Sequence, residues 1–165
     1  MPRIKILLIY PYCLEDRIHA EEVSIVPIGL YYVGAFLKEN HYDVEILNWH
    51  DINKTPQKIK ETLIIKKPDI IGFSILHANR WGGIDIARIA KQVNPEVKIV
   101  FGGIGATFLW KHLLTHFKEI DFAVIGEGEY TFLNLIKCIE KYRSDKISYK
   151  HIKNIVRESA TCQDP

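Results

Sequence analysis

Cysteine is scarce in this sequence. The three thiols, Cys13, Cys138 and Cys162, are spread over 165 residues. That spacing makes neither a C-x-x-C metal site nor the paired framework of a small disulfide-stapled domain. A reducing cytoplasm is the expected compartment. An excess of charge of one sign is also missing, with Lys+Arg 22 against Asp+Glu 20 and a net charge of +2. No basic stripe stands out, so nucleic acid is not an expected partner. No apolar run reaches the roughly 18 residues that would read as a membrane span. The apolar segment 4–10 contains Lys5 and is followed by no small-residue cleavage site. It reads as a first strand rather than a secretory leader. Walker loops, G-x-G-x-x-G fingerprints, internal repeats and low-complexity tracts are all absent.

What the sequence does contain is alternation. Five short runs, 4–10, 44–49, 70–76, 98–101 and 122–125, are nearly continuous in Ile, Val, Leu and Phe. Strands covered on both faces look like this, because neither face is left for polar residues. Helical spacing fills the gaps: Ile86, Ile89, Ala90 and Val93; Leu109, Leu113 and Phe117; Phe132, Leu135, Ile136 and Ile139. A first helix over 27–39 is apolar nearly all round and is expected to be deeply packed, opened by Pro27 and ended by a left-handed Asn40. Pro68 and Pro95 stop helices ahead of the next strand. Strand–helix alternation repeated five times predicts a doubly wound α/β domain of the flavodoxin-like or Rossmann-like kind. A five-stranded parallel sheet with helices on both faces is expected; the sequence does not fix its strand order, for which the flavodoxin-like 2-1-3-4-5 is chosen. The domain is expected over 1–143, with 144–165 a polar linker or tail.

Ligands in such sheets bind at the carboxyl ends of the strands, where the strand order reverses. That rule selects the loops 11–26, 76–81, 102–107 and 126–129. The first is long for a β–α connection and carries Pro11, Cys13, Asp16 and His19. The third strand ends Ser74-Ile75-Leu76, which places a hydroxyl near a ligand and leaves no acceptor Asp for a phospho-receiver. The acidic first loop does not suit a flavin phosphate. Gly102, Gly103 and Gly105 cluster after the fourth strand and let something large approach the backbone. After the fifth strand comes Gly126-Glu127-Gly128-Glu129. Glu129 suits a helix N-terminus electrostatically. Glu127, between two glycines, is free to accept hydrogen bonds from a ligand.

Ser74-x-Leu76 followed by Gly102-Gly103 resembles two of the three motif pieces of cobalamin-binding domains. With Pro27-Ile28-Gly29-Leu30, Pro68 to Ser74, Gly102-Gly103-x-x-Ala106-Thr107 and Gly126-Glu127-Gly128-Glu129-x-Thr131-Phe132, the chain resembles the N-terminal cobalamin (B12)-binding domain of B12-dependent radical SAM enzymes over roughly residues 4–140. The resemblance implies a cobalamin bound by Pro11, Ser74, Leu76, His77, Gly102, Gly103, Ala106, Thr107, Gly126, Glu127, Gly128 and Glu129. The family's Asp-x-His-x-x-Gly motif has no counterpart: Asp16 and His19 have the wrong spacing. This implies a base-off, His-off cofactor. The Cys-x-x-x-Cys-x-x-Cys motif of an iron–sulfur cluster is also missing. No cluster is therefore expected in this chain, and a separate radical SAM catalytic chain or domain is the implied partner. Two other readings stand beside this one: a structural α/β domain that binds nothing, and a small enzyme using Cys13, His19 or His77.

Overall fold

The β-branched and aromatic runs become strands, and the segments with helical spacing become helices. The computed structural model describes residues 4–13, 26–49 and 55–141, together with the backbone of 155–156. In chain order the elements are β1 (Lys5–Tyr10), α1 (Ile28–Glu39), β2 (Asp43–Asn48), α2 (Pro56–Lys66), β3 (Ile70–Ser74), α3 (Arg80–Val93), β4 (Lys98–Gly102), α4 (Gly103–His116), β5 (Phe122–Val124), α5 (Glu129–Lys141) and β6 (Ile155–Val156). The sheet runs β2-β1-β3-β4-β5-β6. The first five strands pair in parallel, in the flavodoxin-like order chosen as the expectation. β6, two residues from the segment expected as a tail, pairs antiparallel on the outer edge of β5.

Strand periodicity sorts the core into two halves. Leu7, Ile9, Ile71, Phe73, Ile99 and Phe101 face α2, α3 and α4. Ile6, Leu8, Ile70, Val100, Phe122 and Val124 face α1 and α5. Burying each such aliphatic or aromatic side chain contributes about 1.5–3 kcal/mol. The register places Gly72 of β3 between Leu8 of β1 and Val100 of β4, and Ser74 beside Gly102.

Three local expectations need correction. α1 is not packed all round: it buries Leu30, Gly34 and Leu37, while Ile28, Tyr31 and Tyr32 are exposed. Its single inner stripe is all the sheet and α5 cover. Asn40 stays right-handed at φ −85°, because its side-chain amide donates to the Phe36 carbonyl at 2.9 Å. The left-handed residue is His41, at φ 66°. Finally, β3 ends at Ser74 and β4 runs directly into α4 at Gly103. Leu76 is therefore no strand residue, and Ala106 and Thr107 are helical.

Candidate cofactor cleft

At the carboxyl edge the sheet's α1/α5 face opens into a cleft of about 170 Å³. Its floor is Leu8, Gly72, Ser74, Val100, Gly102 and Val124. One wall is α1, through Gly29, Leu30 and Val33, and the other is the start of α5, through Glu129 and Phe132. Gly103 and the Gly126–Gly128 loop close the rim. The cleft lies over the switch point between β1 and β3, where such folds bind ligands, and extends across β4 to β5. It is smaller than the roughly 300–1,000 Å³ of sites that engulf a whole ligand. It suits one end of a larger molecule.

The glycines are of two kinds. Gly103 has φ +83°, and a Cβ there would stand 3.0 Å from the Ile75 carbonyl oxygen and 3.1 Å from Ser74 Oγ. The turn from β4 into α4 requires it. Gly102 is extended, and a Cβ on it would meet only the Phe73 carbonyl at 3.7 Å and Val124 at 3.9 Å. Gly29 would meet nothing within 4 Å. Neither is demanded by the backbone or by packing, and both keep the cleft open. Gly126 combines φ +73° with open space.

Hydrogen bonds tie the rim together. Ile75 N–H donates to the Gly102 carbonyl at 3.0 Å, and Gly105 N–H donates to the Ile75 carbonyl at 2.9 Å. The Thr107 hydroxyl donates to the Gly103 carbonyl at 3.0 Å and accepts from Gly126 N–H at 3.0 Å. α4 and the β5–α5 loop are thereby joined through one side chain. Behind the rim, Asn79 accepts from Leu76 N–H at 2.7 Å and fixes the β3–α3 turn. The side chains at the end of β1 are buried and neutral at physiological pH. Burial, and secondarily Cys13, raise the Tyr10 hydroxyl, while burial and then Asp85 push Tyr12 up to about 12.

Of the residues expected at the site, seven line the cleft: Ser74, Gly102, Gly103, Gly126, Glu127, Gly128 and Glu129. The other five do not line it. Pro11 is buried on the opposite face, where a Cβ on Gly83 of α3 would stand 3.5 Å from it. Ala106 is fully buried in that same core, because the first turn of α4 points it inward. Thr107 acts through its rim hydrogen bonds. Leu76 and His77 are exposed beyond the strand end, and the His77 carbonyl accepts from Arg80. Asp16 and His19 lie outside the described residues. The residues missed were the walls and apolar floor: Leu8, Gly29, Leu30, Val33, Gly72 and Phe132. Gly29, Leu30, Gly72 and Phe132 stand inside the matching stretches, but their helical or strand setting reads as packing.

Fold and cleft define a doubly wound α/β domain with an open cleft at its switch point. A model of the B12 binding domain matches residues 20–136. The chain belongs to that family, whose cofactor is cobalamin. It is 33% identical to the uncharacterized methyltransferase PH0819 of Pyrococcus horikoshii over 156 residues, 91% of this chain and 33% of the relative. It is 31% identical to the anaerobic magnesium-protoporphyrin IX monomethyl ester cyclase of Rubrivivax gelatinosus over 118 residues, 71% of this chain and 21% of that one. Its fold matches OxsB, a cobalamin-dependent S-adenosylmethionine radical enzyme solved with aqua-cobalamin and S-adenosylmethionine bound. The TM-score is 0.71 at 19% identity, covering 92% of this chain and 20% of OxsB. The chain thus spans between a fifth and a third of these relatives. Among the described residues no helix is long and apolar enough to cross a membrane.

Proposed function

We propose that this domain holds a cobalamin for a radical S-adenosylmethionine enzyme of the methyltransferase type, and that it does not complete the reaction alone. The observation that carries the reading is Gly102. It is an extended glycine that neither backbone nor packing requires, on the floor of the cleft, where a side chain would take up cleft space. A cleft kept open at the switch point fits the nucleotide tail of cobalamin. Ser74, Glu127 and Glu129 offer it polar partners, and Leu30, Val33 and Phe132 supply the apolar walls. When bound, the cofactor supplies cobalt–carbon chemistry, while the protein supplies position, polarity and exclusion of water.

The cofactor is held base-off and His-off in this reading. The sequence has no Asp-x-His-x-x-Gly segment, and among the described residues no histidine lines the cleft. The iron–sulfur half resides in another chain or domain, because Cys13, Cys138 and Cys162 have no cluster spacing. The reading is consistent with a cytoplasmic setting.

The test is reconstitution with hydroxocobalamin followed by gel filtration and a visible spectrum. The unmodified chain is expected to elute coloured, at about one cobalamin per chain. Gly102→Leu should elute folded and colourless. The cob(II)alamin form should show no nitrogen splitting by electron paramagnetic resonance. A colourless unmodified protein sinks the reading, and splitting that vanishes in His19→Ala or His77→Ala overturns the His-off assignment.

A further inference from the structure

Away from the cleft, α4 carries two histidines one turn apart, His112 and His116, both exposed. Positions i and i+4 are neighbours on a helix surface. Here the neighbours are in register: the two imidazole centroids are 4.4 Å apart and the rings are tilted by only 31°. His116 Nδ1 lies 3.0 Å from the His112 carbonyl oxygen. A carbonyl can only accept, so Nδ1 carries the proton and Nε2 of the neutral ring keeps its lone pair free. A backbone carbonyl holding the far nitrogen is the partner that metal-ligating histidines use to fix tautomer and ring orientation. The His112 ring is steadied in turn by an edge contact with Phe117, with centroids 5.9 Å apart.

We propose that His112 and His116 form a two-imidazole clamp for a divalent transition-metal ion on the outer face of α4, with water completing its coordination. Two nitrogens bound at 2.0–2.1 Å in tetrahedral geometry stand about 3.4 Å apart. The rings, tilted by 31° with centroids 4.4 Å apart, converge their Nε2 atoms on one ion by splaying apart through side-chain rotation. Imidazole suits zinc, nickel and copper, whereas hard cations prefer oxygen. Among the described residues no third His, Cys, Asp or Glu completes a ligand set. Glu119, the acid three residues beyond His116, is paired with Arg88 at 3.4 Å. The site is therefore open, exchangeable and of modest affinity. It is distinct from the cofactor cleft: α4 packs on the opposite face of the sheet, and at 1.5 Å rise per residue His112 lies about 13 Å along the helix from Gly103.

The experiment uses the full chain without cobalamin, titrated with nickel chloride and separately with zinc chloride. The readouts are calorimetry and the nitrogen-15 resonances of the imidazoles. One ion per chain is expected at this site, with the His116 resonances reporting an Nδ1-protonated, Nε2-ligated ring. His112→Ala and His116→Ala should each weaken binding at least tenfold, and His77→Ala should leave it unchanged. Loading with cobalamin should not alter the affinity, so failure of the cofactor reading and failure of the clamp are separable. Absence of binding, or binding unaffected in the double variant, overturns the clamp. Shifts confined to other histidines, or to the cysteines, do the same.

Discussion

The two faces of one sheet are built to opposite ends. Under α2, α3 and α4 the strands present Leu7, Ile9, Phe73 and Phe101, with Phe73 and Phe101 ring to ring at 5.0 Å. Under α1 and α5 the same strands alternate Ile70, Gly72 and Ser74, and Val100 gives way to Gly102. Toward the carboxyl edge the first face is filled and the second is emptied; the first face opens instead at its amino edge, in a cavity of about 340 Å³ between α2 and α3 lined by Leu63, Ile71, Ala90 and Val97. Because side chains alternate across a strand, one short run such as Gly72-Phe73-Ser74 can serve both purposes, with Phe73 sealing one face while its neighbours open the other.

The largest effect that would sharpen this contrast is at Phe101. Truncation to alanine leaves a cavity in the closed face and is expected to cost about 3–5 kcal/mol. Phe132→Ala on the open face should cost less, because that ring already borders the cleft. Urea denaturation of both variants checks the ranking. If Phe132→Ala proves the more damaging, the open face is carrying stability that its geometry does not show.

The next effect separates two adjacent glycines. Gly103→Ala puts a methyl group 3.0 Å from a carbonyl oxygen at φ +83° and should cost about 1–3 kcal/mol. Gly102→Ala adopts its native extended backbone without strain, so its stability should be equal to the parent's or up to about 1 kcal/mol higher. It should nevertheless weaken cobalamin retention, because its methyl group takes cleft space. Thermal melts with and without hydroxocobalamin test both halves. Equal cofactor shifts in Gly102→Ala and the parent would break the link between that glycine and the ligand.

How far this was readable from sequence depends on the kind of signal. The parallel sheet and the two-faced layering follow from alternation and continuous apolar runs; the strand order does not, and the flavodoxin-like order expected by analogy is the one found. The rim glycines and Glu127 were legible because glycine at a strand's carboxyl end has few other uses. Ala106 misled because Gly102-Gly103-x-x-Ala106 reads as a loop, whereas β4 enters α4 with no connecting residue, and a helical turn carries Ala106 to the wrong face. The α1 wall was hidden for the reverse reason. Leu30 and Val33 look like ordinary helix core, and only the tertiary placement of α1 over glycines shows that part of their stripe faces empty space. The exposure of Tyr31 and Tyr32 was equally invisible, since periodicity reports how apolar a helix is and says nothing of how many neighbours it has.

The smallest effect concerns the one side chain that joins rim to rim. Thr107 sits in α4, whose inner face belongs to the closed layer, yet its hydroxyl holds Gly126 at the mouth of the open one. A threonine bonding back to the carbonyl four residues earlier is common in helices. The second bond, accepting from an amide nineteen residues later, is the unusual part. Thr107→Val keeps the shape and removes both bonds, which should cost about 1 kcal/mol. The Gly126 amide lies near the surface, so water can replace its lost partner and the fold should survive. Without that partner, the loop carrying Glu127 is no longer held against the helix. Cobalamin is then expected to bind several-fold more weakly with little change in melting temperature. Thr107→Ser restores the hydroxyl and should restore affinity, which separates the hydrogen bond from the packing of the methyl group. Equilibrium dialysis of hydroxocobalamin against the three proteins decides it. Affinity that is the same in the valine and serine variants would mean that the rim holds its shape without this bridge.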